Sequence, residues 1–394
     1  MRIAVDHQVT SLQDAGGMSR YHYELARQLR GREDVALDLL LGGQNSLLPF
    51  AALESDGVRV EMWKSRLGAG YPRYAMNAVW TAATAPLRGR YDVYHASYQR
   101  WEPAIRHRAL VATHHDATQE RFPELFPNAA AIRARKGKLY RRADMVICVS
   151  ESARQDLMEI YGVEEARTRL VHHGVTPVET ISGFEDADTP PYVLYVGSRS
   201  AYKNFPALVQ AFAASGNAQA LRLVVAGGGG WSDAERTAIE SHGLRDRVVL
   251  LPRVDEARLA SLYRGAALLV YSSLYEGFGL PPLEAMSVGC PVLVSRTSSL
   301  PEICGDAAHY FDPGTKGALE QELDRLLGDT ALRGAKVDAG RAWVGRYTWE
   351  SAATGTLAAY RAALDRAQQR IQRGPKARTQ AGTASATAGP ASRG

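Results

Sequence analysis

The feature that most constrains this chain is a repeated alternation of short apolar runs with segments of helical periodicity. Runs such as Arg2–Val5, Met145–Val149 and Tyr192–Val196 have the length of strands, and segments such as Met18–Arg30 carry apolar residues at helical spacing. Strands that alternate with helices form βαβ units around a parallel sheet. The sequence therefore predicts an α/β protein with doubly wound sheets, in which a helical segment follows each strand.

The alternation stops once and then starts again, which predicts two domains. Residues 176–191 are polar, acidic and flanked by prolines, as in a linker. We predict one Rossmann-like domain over 1–178, a linker over 179–191 and a second such domain over 192–346. A long amphipathic helix is predicted over 347–371, and the basic tail 372–394 is too poor in apolar residues to order itself. Ligands of doubly wound folds bind beyond the carboxyl ends of the strands, so a site is expected between the two domains.

Charge and cysteine content exclude several classes of protein. The net charge is +5, and six cations without an acid fall in the stretch Ala131–Arg142. This distribution indicates one basic patch and a basic tail, and no nucleic-acid partner is expected. The three cysteines form no C-x-x-C pair, which argues against disulfides or zinc and predicts buried free thiols. No apolar run approaches 18 residues and the first residues form a strand, so we expect a cytoplasmic protein without a signal peptide or membrane span.

A loop between two carboxylates is the first candidate site. It reads Y-E-G-F-G-L-P-P-L-E and holds Glu276 and Glu284 eight residues apart. Two prolines suit the first turn of a helix, and the amides before that helix, with its positive end, suit a phosphate. The carboxylates could accept hydrogen bonds from sugar hydroxyls; a capped helix with two surface acids is the alternative. The loop residues expected to approach a ligand are Gly277, Phe278, Gly279 and Leu280.

A pair of cations after a strand is the second candidate. The stretch G-S-R-S-A-Y-K-N directly follows the strand Tyr192–Val196 and places Arg199 four residues before Lys203. Two fixed cations that point at one anion would stabilise the charge of a leaving diphosphate. The alternative is a solvated surface pair.

Two further stretches lie at places where a ligand is expected. Gly16 and Gly17 open a helix after the first strand, and a similar glycine run follows the strand that ends at Ala226. Such a turn can face a phosphate, although a tight turn alone explains it and the full G-x-G-x-x-G is absent. The stretch T-H-H-D, which ends at Asp116, places a histidine and an acid at the end of an apolar strand. No cluster has the spacing of a metal site, so none is predicted.

Together these stretches resemble the retaining glycosyltransferases of family 4. The loop E-G-F-G-L-P-P-L-E is similar to that family's E-x7-E motif, the stretch S-R-S-A-Y-K-N to its Arg/Lys pair and A-G-G-M-S-R-Y to its N-terminal glycine loop. The resemblance covers residues 1 to about 370. Within the family, these sequence motifs are most similar to those of bacterial polysaccharide and O-antigen mannosyltransferases. It implies the GT-B fold, in which two Rossmann-like domains face each other across a cleft and a C-terminal helix crosses back onto the N-terminal domain.

The resemblance also implies roles for individual residues. Glu276 would contact the donor hexose and Glu284 the ribose. Arg199 and Lys203 would bind the diphosphate. The expected catalytic residues are His115, Arg199, Lys203 and Glu276, and the further donor-binding residues are Gly16, Gly17, Arg253, Val254, Gly277, Phe278, Gly279, Leu280 and Glu284. The sequence departs from the family at His173, which stands where an asparagine is usual, and no effect on donor binding is expected.

The implied activity is transfer of a hexose, with retention of configuration, to a saccharide or lipid-linked saccharide in cell-surface polysaccharide synthesis. Mannose from GDP-mannose is the expected donor, and no metal or cofactor is expected. Alternatives are UDP-glucose, UDP-N-acetylglucosamine or dTDP-rhamnose as donor, an epimerase, or a non-catalytic protein that binds a sugar nucleotide. The basic run Arg133–Arg142 is interpreted either as a contact to an anionic acceptor or to the inner face of the cell membrane, or as a solvated helix face.

Overall fold

Two parallel sheets organise the chain. The computed structural model describes residues 1–14, 16–55, 57–176 and 191–373. The predicted linker 179–191 and tail 372–394 therefore lie almost wholly outside the described residues. The first sheet has the order β3-β2-β1-β4-β5-β6-β7, with strands β1 Arg2–Val5, β2 Ala36–Gln44, β3 Val58–Lys64, β4 Tyr91–Ala96, β5 His107–His114, β6 Met145–Cys148 and β7 Thr168–Leu170.

Helices cover both faces of the first sheet, because its strands are apolar on both sides. They are α1 Gln8–Leu12, α2 Gly17–Leu29, α3 Tyr71–Thr84, α4 Thr118–Arg121, α5 Ala129–Arg142 and α6 Glu151–Tyr161. The cap of α6 is typical of a helix start, since the hydroxyl of Ser150 accepts from the amide of Ala153 at 3.0 Å.

The second sheet has the order β10-β9-β8-β11-β12-β13, again parallel throughout. Its strands are β8 Tyr192–Val196, β9 Arg222–Ala226, β10 Val248–Leu251, β11 Leu268–Tyr271, β12 Val292–Ser295 and β13 His309–Phe311. Its helices are α7 Phe205–Ala214, α8 Asp233–Ser241, α9 Glu256–Gly265, α10 Leu280–Ser287, α11 Leu300–Cys304, α12 Ala318–Gly328 and α13 Thr330–Val344. The predicted GT-B arrangement of two doubly wound domains is confirmed.

The last helix, α14 (Trp349–Arg373), packs back onto the first sheet. Trp349, Leu357 and Tyr360 are buried in one apolar cluster with Val93 and Val111 of β4 and β5. The hydroxyl of Tyr360 also lies 2.8 Å from Nδ1 of His95. The expected crossing of the C-terminal helix onto the N-terminal domain is therefore confirmed, and it ties the second domain to the first.

Strand order places the candidate stretches. In each sheet the order reverses once, between β1 and β4 and between β8 and β11, and doubly wound folds bind ligands at the carboxyl ends of the strands on either side of such a reversal. The Gly16–Gly17 loop follows β1, the stretch of Arg199 and Lys203 follows β8, and the loop of Glu276 follows β11. Three stretches that are distant in sequence thus meet at two reversal points.

Some predictions of local structure are wrong. No helix separates β4 from β5, which are joined by residues 97–106 alone, and β7 covers Thr168–Leu170, whereas the sequence predicts a strand over Leu170–His172. Helices α1 and α13 are additional to the one helical segment predicted after each strand. The prediction for the three cysteines is confirmed, because Cys148, Cys290 and Cys304 are free and buried. Within the described residues no helix is long and apolar enough to cross a bilayer.

Candidate active site

An ion pair joins the ends of β8 and β11. Nζ of Lys203 lies 2.6 Å from Oε1 of Glu276 and 3.5 Å from the hydroxyl of Tyr271, and both charged side chains are at most 15% exposed. Burial lowers the pKa of Lys203, but Glu276, Tyr202 and Asp116 together outweigh burial and the pKa is raised. Lys203 is therefore a charged ammonium group held at the mouth of the second sheet.

Strained backbone surrounds this pair. Among the described residues only Asn204 (φ 54°) and Ser298 (φ 46°) are non-glycine residues with positive φ. Asn204 directly follows Lys203, and the hydroxyl of Ser298 accepts from the amide of Glu276 at 2.8 Å. Each such residue costs on the order of 1–3 kcal/mol, and backbone strain of this kind clusters at functional sites. The strain thus marks the Lys203–Glu276 pair as the centre of the candidate site.

Arg199 does not share a partner with Lys203. Its guanidinium donates to the carbonyls of the glycine run 227–230, with the shortest contacts at 2.7 and 2.8 Å, and to Oε1 of Glu235 at 2.7 Å. It also lies over the ring of Trp231, 4.8 Å from the centroid. In this state Arg199 shapes the glycine run, and its expected contact with a diphosphate stays a prediction.

The two glycines of the N-terminal domain face the helix of Glu284. Helix α2 begins at Gly17 without a side-chain cap, so its first amides are open to a ligand. A Cβ on Gly17 would lie 3.4 Å from Cδ1 of Leu280, the first residue of α10. The Gly16–Gly17 loop and the E-x7-E loop therefore line the cleft from opposite sides, as expected.

Glu284 lies in the second turn of α10, in agreement with the expected position in the first or second turn of the helix after the loop. Its Oε2 accepts from the hydroxyl of Tyr263 at 3.0 Å. Burial raises the pKa of Glu284, and the charge of Arg20 opposes that rise. Arg20 comes from α2 of the other domain and also pairs with Glu256 of α9. Arg20 is a site residue that sequence reasoning missed, although it lies in the same A-G-G-M-S-R-Y stretch as the glycines.

His115 lies directly after β5 and packs against the loop after β11, residues 275–279. We call this segment the donor loop, after the role that the sequence predicts for it. A Cβ on Gly277 would lie 1.9 Å from the carbonyl oxygen of His115 and 2.8 Å from Cβ of Asp116. The ring of His115 is buried, and neither of its nitrogens has a hydrogen-bond partner in the protein. Burial lowers the pKa of His115 to about 4, so it is neutral near pH 7.

His115 belongs to a buried cluster of imidazoles behind the cleft. The rings of His22 and His173 lie 5.9 Å from that of His115, and their nitrogens likewise lack protein partners. Burial lowers the pKa of His22 to about 3 and that of His173 well below its usual value. His173 stacks on Tyr21 at 4.7 Å and on Phe278 at 4.8 Å. The residue that departs from the family pattern therefore lies at the contact of both domains.

Acid should destabilise the protein through these imidazoles. Their pKa values in the folded chain lie below the unfolded value near 6.5, so stability is complete above pH 6.5 and falls as the pH drops towards the folded values. In that pH range each of these histidines is protonated in the unfolded chain but not in the folded chain. The free energy of unfolding therefore falls by about 1.4 kcal/mol per pH unit for each histidine. Urea unfolding at pH 6.5 and 5.5 should show a smaller pH slope for His22→Gln. An unchanged slope, or an equal change in the exposed His242→Gln, would refute this assignment.

A second set of contacts fastens the donor loop to the N-terminal domain. The hydroxyl of Ser150 donates to the carbonyl of Gly277 at 2.7 Å, and that of Tyr275 donates to Asp156 at 2.5 Å. The carboxylate of Glu302, from α11, accepts from the amide of Glu151 at 2.8 Å and lies 2.8 Å from Nε2 of His172. Glu302 thus caps helix α6 of the other domain. Burial would raise the pKa of Glu302, but the hydrogen bonds from His172 and the helix amides lower it.

We expect Glu302→Gln to loosen the two domains. The substitution leaves first-turn amides of α6 and the ring of His172 without their carboxylate, at a cost of about 1–3 kcal/mol. Urea unfolding at pH 7.5 measures the loss, and Glu240→Gln on an exposed part of α8 is the matched control. A difference between the two variants below about 0.5 kcal/mol would mean that Glu302 contributes no coupling.

The remaining predicted residues have less specific surroundings. Arg253 is exposed and Val254 half-buried, both between β10 and α9 at the carboxyl edge of the second sheet. The side chain of Phe278 faces the interdomain contact, so a ligand would meet its backbone only. A Cβ on Gly279 would lie 2.9 Å from Leu300. Within the described residues no group of three or more His, Cys, Asp or Glu side chains is arranged to hold a metal ion.

The basic run Arg133–Arg142 is not uniformly exposed, and its contact with an acceptor or a membrane stays a prediction. Lys136 is buried on the inner side of α5, with Nζ 3.2 Å from Glu120 and 3.2 Å from the carbonyl of Asp116. Arg135 is half-buried and donates to Gln99. A buried ammonium needs a carboxylate as its partner. Lys136 therefore has a structural role, in which it links α5 to Glu120 and to the backbone of Asp116. The exposed cations of α5 are Arg133, Lys138, Arg141 and Arg142.

Comparison with known proteins matches most of the chain. A family model described as glycosyl transferases group 1 matches residues 179–343, and one described as glycosyltransferase family 4 matches residues 15–179. The chain is 30% identical over 266 residues to the O-antigen chain mannosyltransferase B of Escherichia coli, across 64% of this chain and 70% of that one. It is 26% identical over 400 residues to a D-inositol 3-phosphate glycosyltransferase of Xylanimonas cellulosilytica, across 90% and 93% of the two chains.

A solved structure reproduces the same architecture. The sucrose-phosphate synthase of Thermosynechococcus elongatus aligns with a TM-score of 0.72 at 23% identity, over 91% of this chain and 98% of that one. At this identity the likeness concerns the fold alone. The two matched family segments meet at residue 179, where the sequence predicts the linker between the domains to begin.

Proposed function

This chain belongs to the glycosyltransferases of group 1 and family 4, and on that premise we propose that it transfers a hexose from a nucleotide sugar to a saccharide acceptor with retention of configuration. The observation that carries the proposal is the Lys203–Glu276 pair, held at 2.6 Å by strained backbone at the strand reversal of the second sheet. A carboxylate for sugar hydroxyls and a cation for a phosphate are thereby next to each other.

The chemistry follows from the charges at the site. The bond from the anomeric carbon to the diphosphate oxygen breaks, so positive charge grows on the sugar and negative charge on the phosphate. Lys203 and the positive end of α10 stabilise the leaving group. The acceptor hydroxyl attacks from the face that the diphosphate leaves and passes its proton to the leaving oxygen. Glu276 orients the hexose, and the neutral His115 offers a hydrogen bond without adding charge.

The proposed donor is GDP-mannose, with a lipid-linked or free saccharide as acceptor in the synthesis of a cell-surface polysaccharide. Support comes from the relative of 30% identity, which is named an O-antigen chain mannosyltransferase. The relative that matches nearly the whole chain is named a D-inositol 3-phosphate glycosyltransferase, so the choice of donor needs a direct test. We also propose that no metal is required, because Lys203 and the helix amides can neutralise the diphosphate.

A thermal-shift panel tests the donor. It comprises GDP-mannose, GDP-fucose, UDP-glucose, UDP-N-acetylglucosamine and dTDP-rhamnose, each with EDTA and with Mg²⁺. A donor at 100 times its dissociation constant should stabilise the protein by about 2.7 kcal/mol. A shift with GDP-mannose in EDTA supports the full proposal. A shift with another donor overturns mannose, a shift only with Mg²⁺ overturns metal independence, and no shift overturns donor binding.

Turnover separates transfer from its rivals. A transferase consumes the donor only when acceptor is present, apart from slow hydrolysis, whereas an epimerase converts it alone. The anomeric configuration of the product, read from the one-bond carbon–proton coupling in NMR, tests retention. A protein that binds the donor and yields no product with any saccharide acceptor would be a non-catalytic member of the family.

A further inference from the structure

Helix α3 is built with its polar side inward. The side chains of Arg73, Asn77 and Thr81 are completely buried, whereas Tyr71 is 53% and Val79 71% exposed. A helix on the surface of a globular protein normally does the opposite. The exposed line of α3 consists of Tyr71, Ala75, Val79 and Ala82, and we call it the outer face of α3.

The buried polar side chains prevent the helix from turning over. The guanidinium of Arg73 donates to the carbonyls of Ser11 at 3.0 Å and Thr10 at 2.8 Å, and it pairs with Asp14 at 2.7 Å. Asn77 donates to the carbonyl of Gly43 and accepts from its amide, both at 2.8 Å. Burying these groups without partners would cost several kcal/mol. The apolar outer face is therefore a fixed feature of the fold.

Apolar and aromatic side chains continue this face. Leu87, three residues beyond the helix, is 85% exposed, and Leu67, in the loop that enters it, is 39% exposed. Trp63, at 37% exposure, packs edge-on against Trp80 of α3 with the ring centroids 4.8 Å apart. A group of exposed apolar side chains on and beside one helix is the kind of surface that interaction sites use, and amphipathic aromatic rings suit the interface of a bilayer.

The charges around α3 are of one sign. From residue 57 to residue 90 the chain carries six cations and a single acid, Glu61, which pairs with Arg88 at 2.6 Å. Lys64 and Arg66 precede the helix and Arg90 follows it, all exposed. Cations that flank an apolar helix face are the pattern of helices that lie in the headgroup region of an anionic membrane.

We propose that the outer face of α3 docks this protein on an anionic lipid surface. The first turn of α3 adjoins the candidate site, since Arg73 holds Asp14, two residues before Gly16. Docking through α3 would bring the acceptor side of the cleft next to the bilayer, where a lipid-linked saccharide is anchored. This proposal rests on the proposed function for its acceptor, but not for the binding itself. It also moves the membrane contact from the basic run of α5 to α3.

Vesicle co-sedimentation of the full chain tests the proposal. The protein should sediment with vesicles of phosphatidylcholine and phosphatidylglycerol at 7:3, and much less with phosphatidylcholine alone. The variant Val79→Ser/Leu87→Ser should bind about tenfold less, because two apolar contacts with the bilayer are lost. Lys64→Glu/Arg66→Glu should bind at least about 30-fold less, as expected for the loss of two cations near the surface at about 1 kcal/mol each. The matched control Arg133→Glu/Lys138→Glu on α5 should stay within about twofold.

Three results would overturn the proposal. The first is that the wild type does not sediment with anionic vesicles, and the second is that the α5 control loses as much vesicle binding as the α3 variants. The third is a dimer in vesicle-free solution that Val79→Ser/Leu87→Ser abolishes, which would assign the outer face of α3 to a contact with a second copy. All replaced side chains of these variants are exposed, and equal melting temperatures confirm that they fold. The donor thermal shift is measured on the same variants, so that loss of lipid binding with an intact donor shift is distinguished from failure of the proposed function.

Discussion

Lys203→Ala should reduce turnover by about 100- to 1000-fold. The ammonium of Lys203 is the cation that we propose for the leaving diphosphate, and removal of one such charge-stabilising group typically costs about 2.7–4 kcal/mol of barrier. The substitution also leaves Glu276 without its partner at 2.6 Å, so the carboxylate would lose its orientation towards the hexose. Arg199 could substitute only by releasing the glycine run and Glu235, which engage its donors in the structure.

Steady-state rates at saturating donor measure this effect, with Lys316→Ala as the matched control, since Lys316 is exposed and lies far along the chain from the motif. A double-mutant cycle with Glu276→Gln divides the loss between charge and positioning. If Lys203 only orients Glu276, the double variant is no slower than Glu276→Gln alone. Turnover within threefold of the wild type for Lys203→Ala would refute the assignment of Lys203 altogether.

Gly277→Ala should lower catalytic efficiency by about 100-fold or more while both domains still fold. The added methyl would lie 1.9 Å from the carbonyl oxygen of His115, and neither backbone can yield alone. The donor loop must then move away from the N-terminal domain, which breaks the bond from Ser150 to the carbonyl of Gly277. A displacement of about 1 Å at a reacting centre can cost about 100-fold in rate.

The matched control for this prediction is Gly216→Ala, where an added Cβ meets nothing within 4 Å. Both variants are compared by kcat/KM and by the melting temperature. Activity of Gly277→Ala near that of the wild type would show that the loop of Glu276 is free to leave the N-terminal domain during turnover. The contacts described across the cleft would then be incidental to the reaction.

The predicted site residues illustrate how far sequence reasoning reaches. The sequence around Glu276 and Glu284 predicted one residue in the loop after β11 and the other in the first or second turn of the next helix, and both positions are confirmed. The four-residue spacing of Arg199 and Lys203 suggested one shared anion, yet the two side chains have different partners. The spacing of residues along the sequence indicates which strand, helix or loop each residue belongs to. Partners depend on what the neighbouring strand presents, and Trp231, Glu235 and the glycine run follow a different strand.

The basic run of α5 and the outer face of α3 show that sequence patterns also fail to predict which side chains are buried. Charge density predicted a surface for Arg133–Arg142, but Lys136 is buried against Glu120, which is supplied by α4. In α3, apolar residues such as Val79 would be assigned to a core by pattern alone. They are exposed because Arg73 and Asn77 find carbonyls on α1 and β2 that satisfy them.

By itself the sequence determined the two doubly wound domains, the long C-terminal helix and the loops that carry the candidate site. These follow from periodicities and turn residues that act within a few positions of the chain. Only the tertiary structure decided which charges pair, which face of α3 is exposed and how Glu302, Ser150 and Tyr275 fasten the donor loop to the other domain. Those features depend on the burial of polar groups, whose free energy is set by partners that lie from 34 to 151 residues away along the chain.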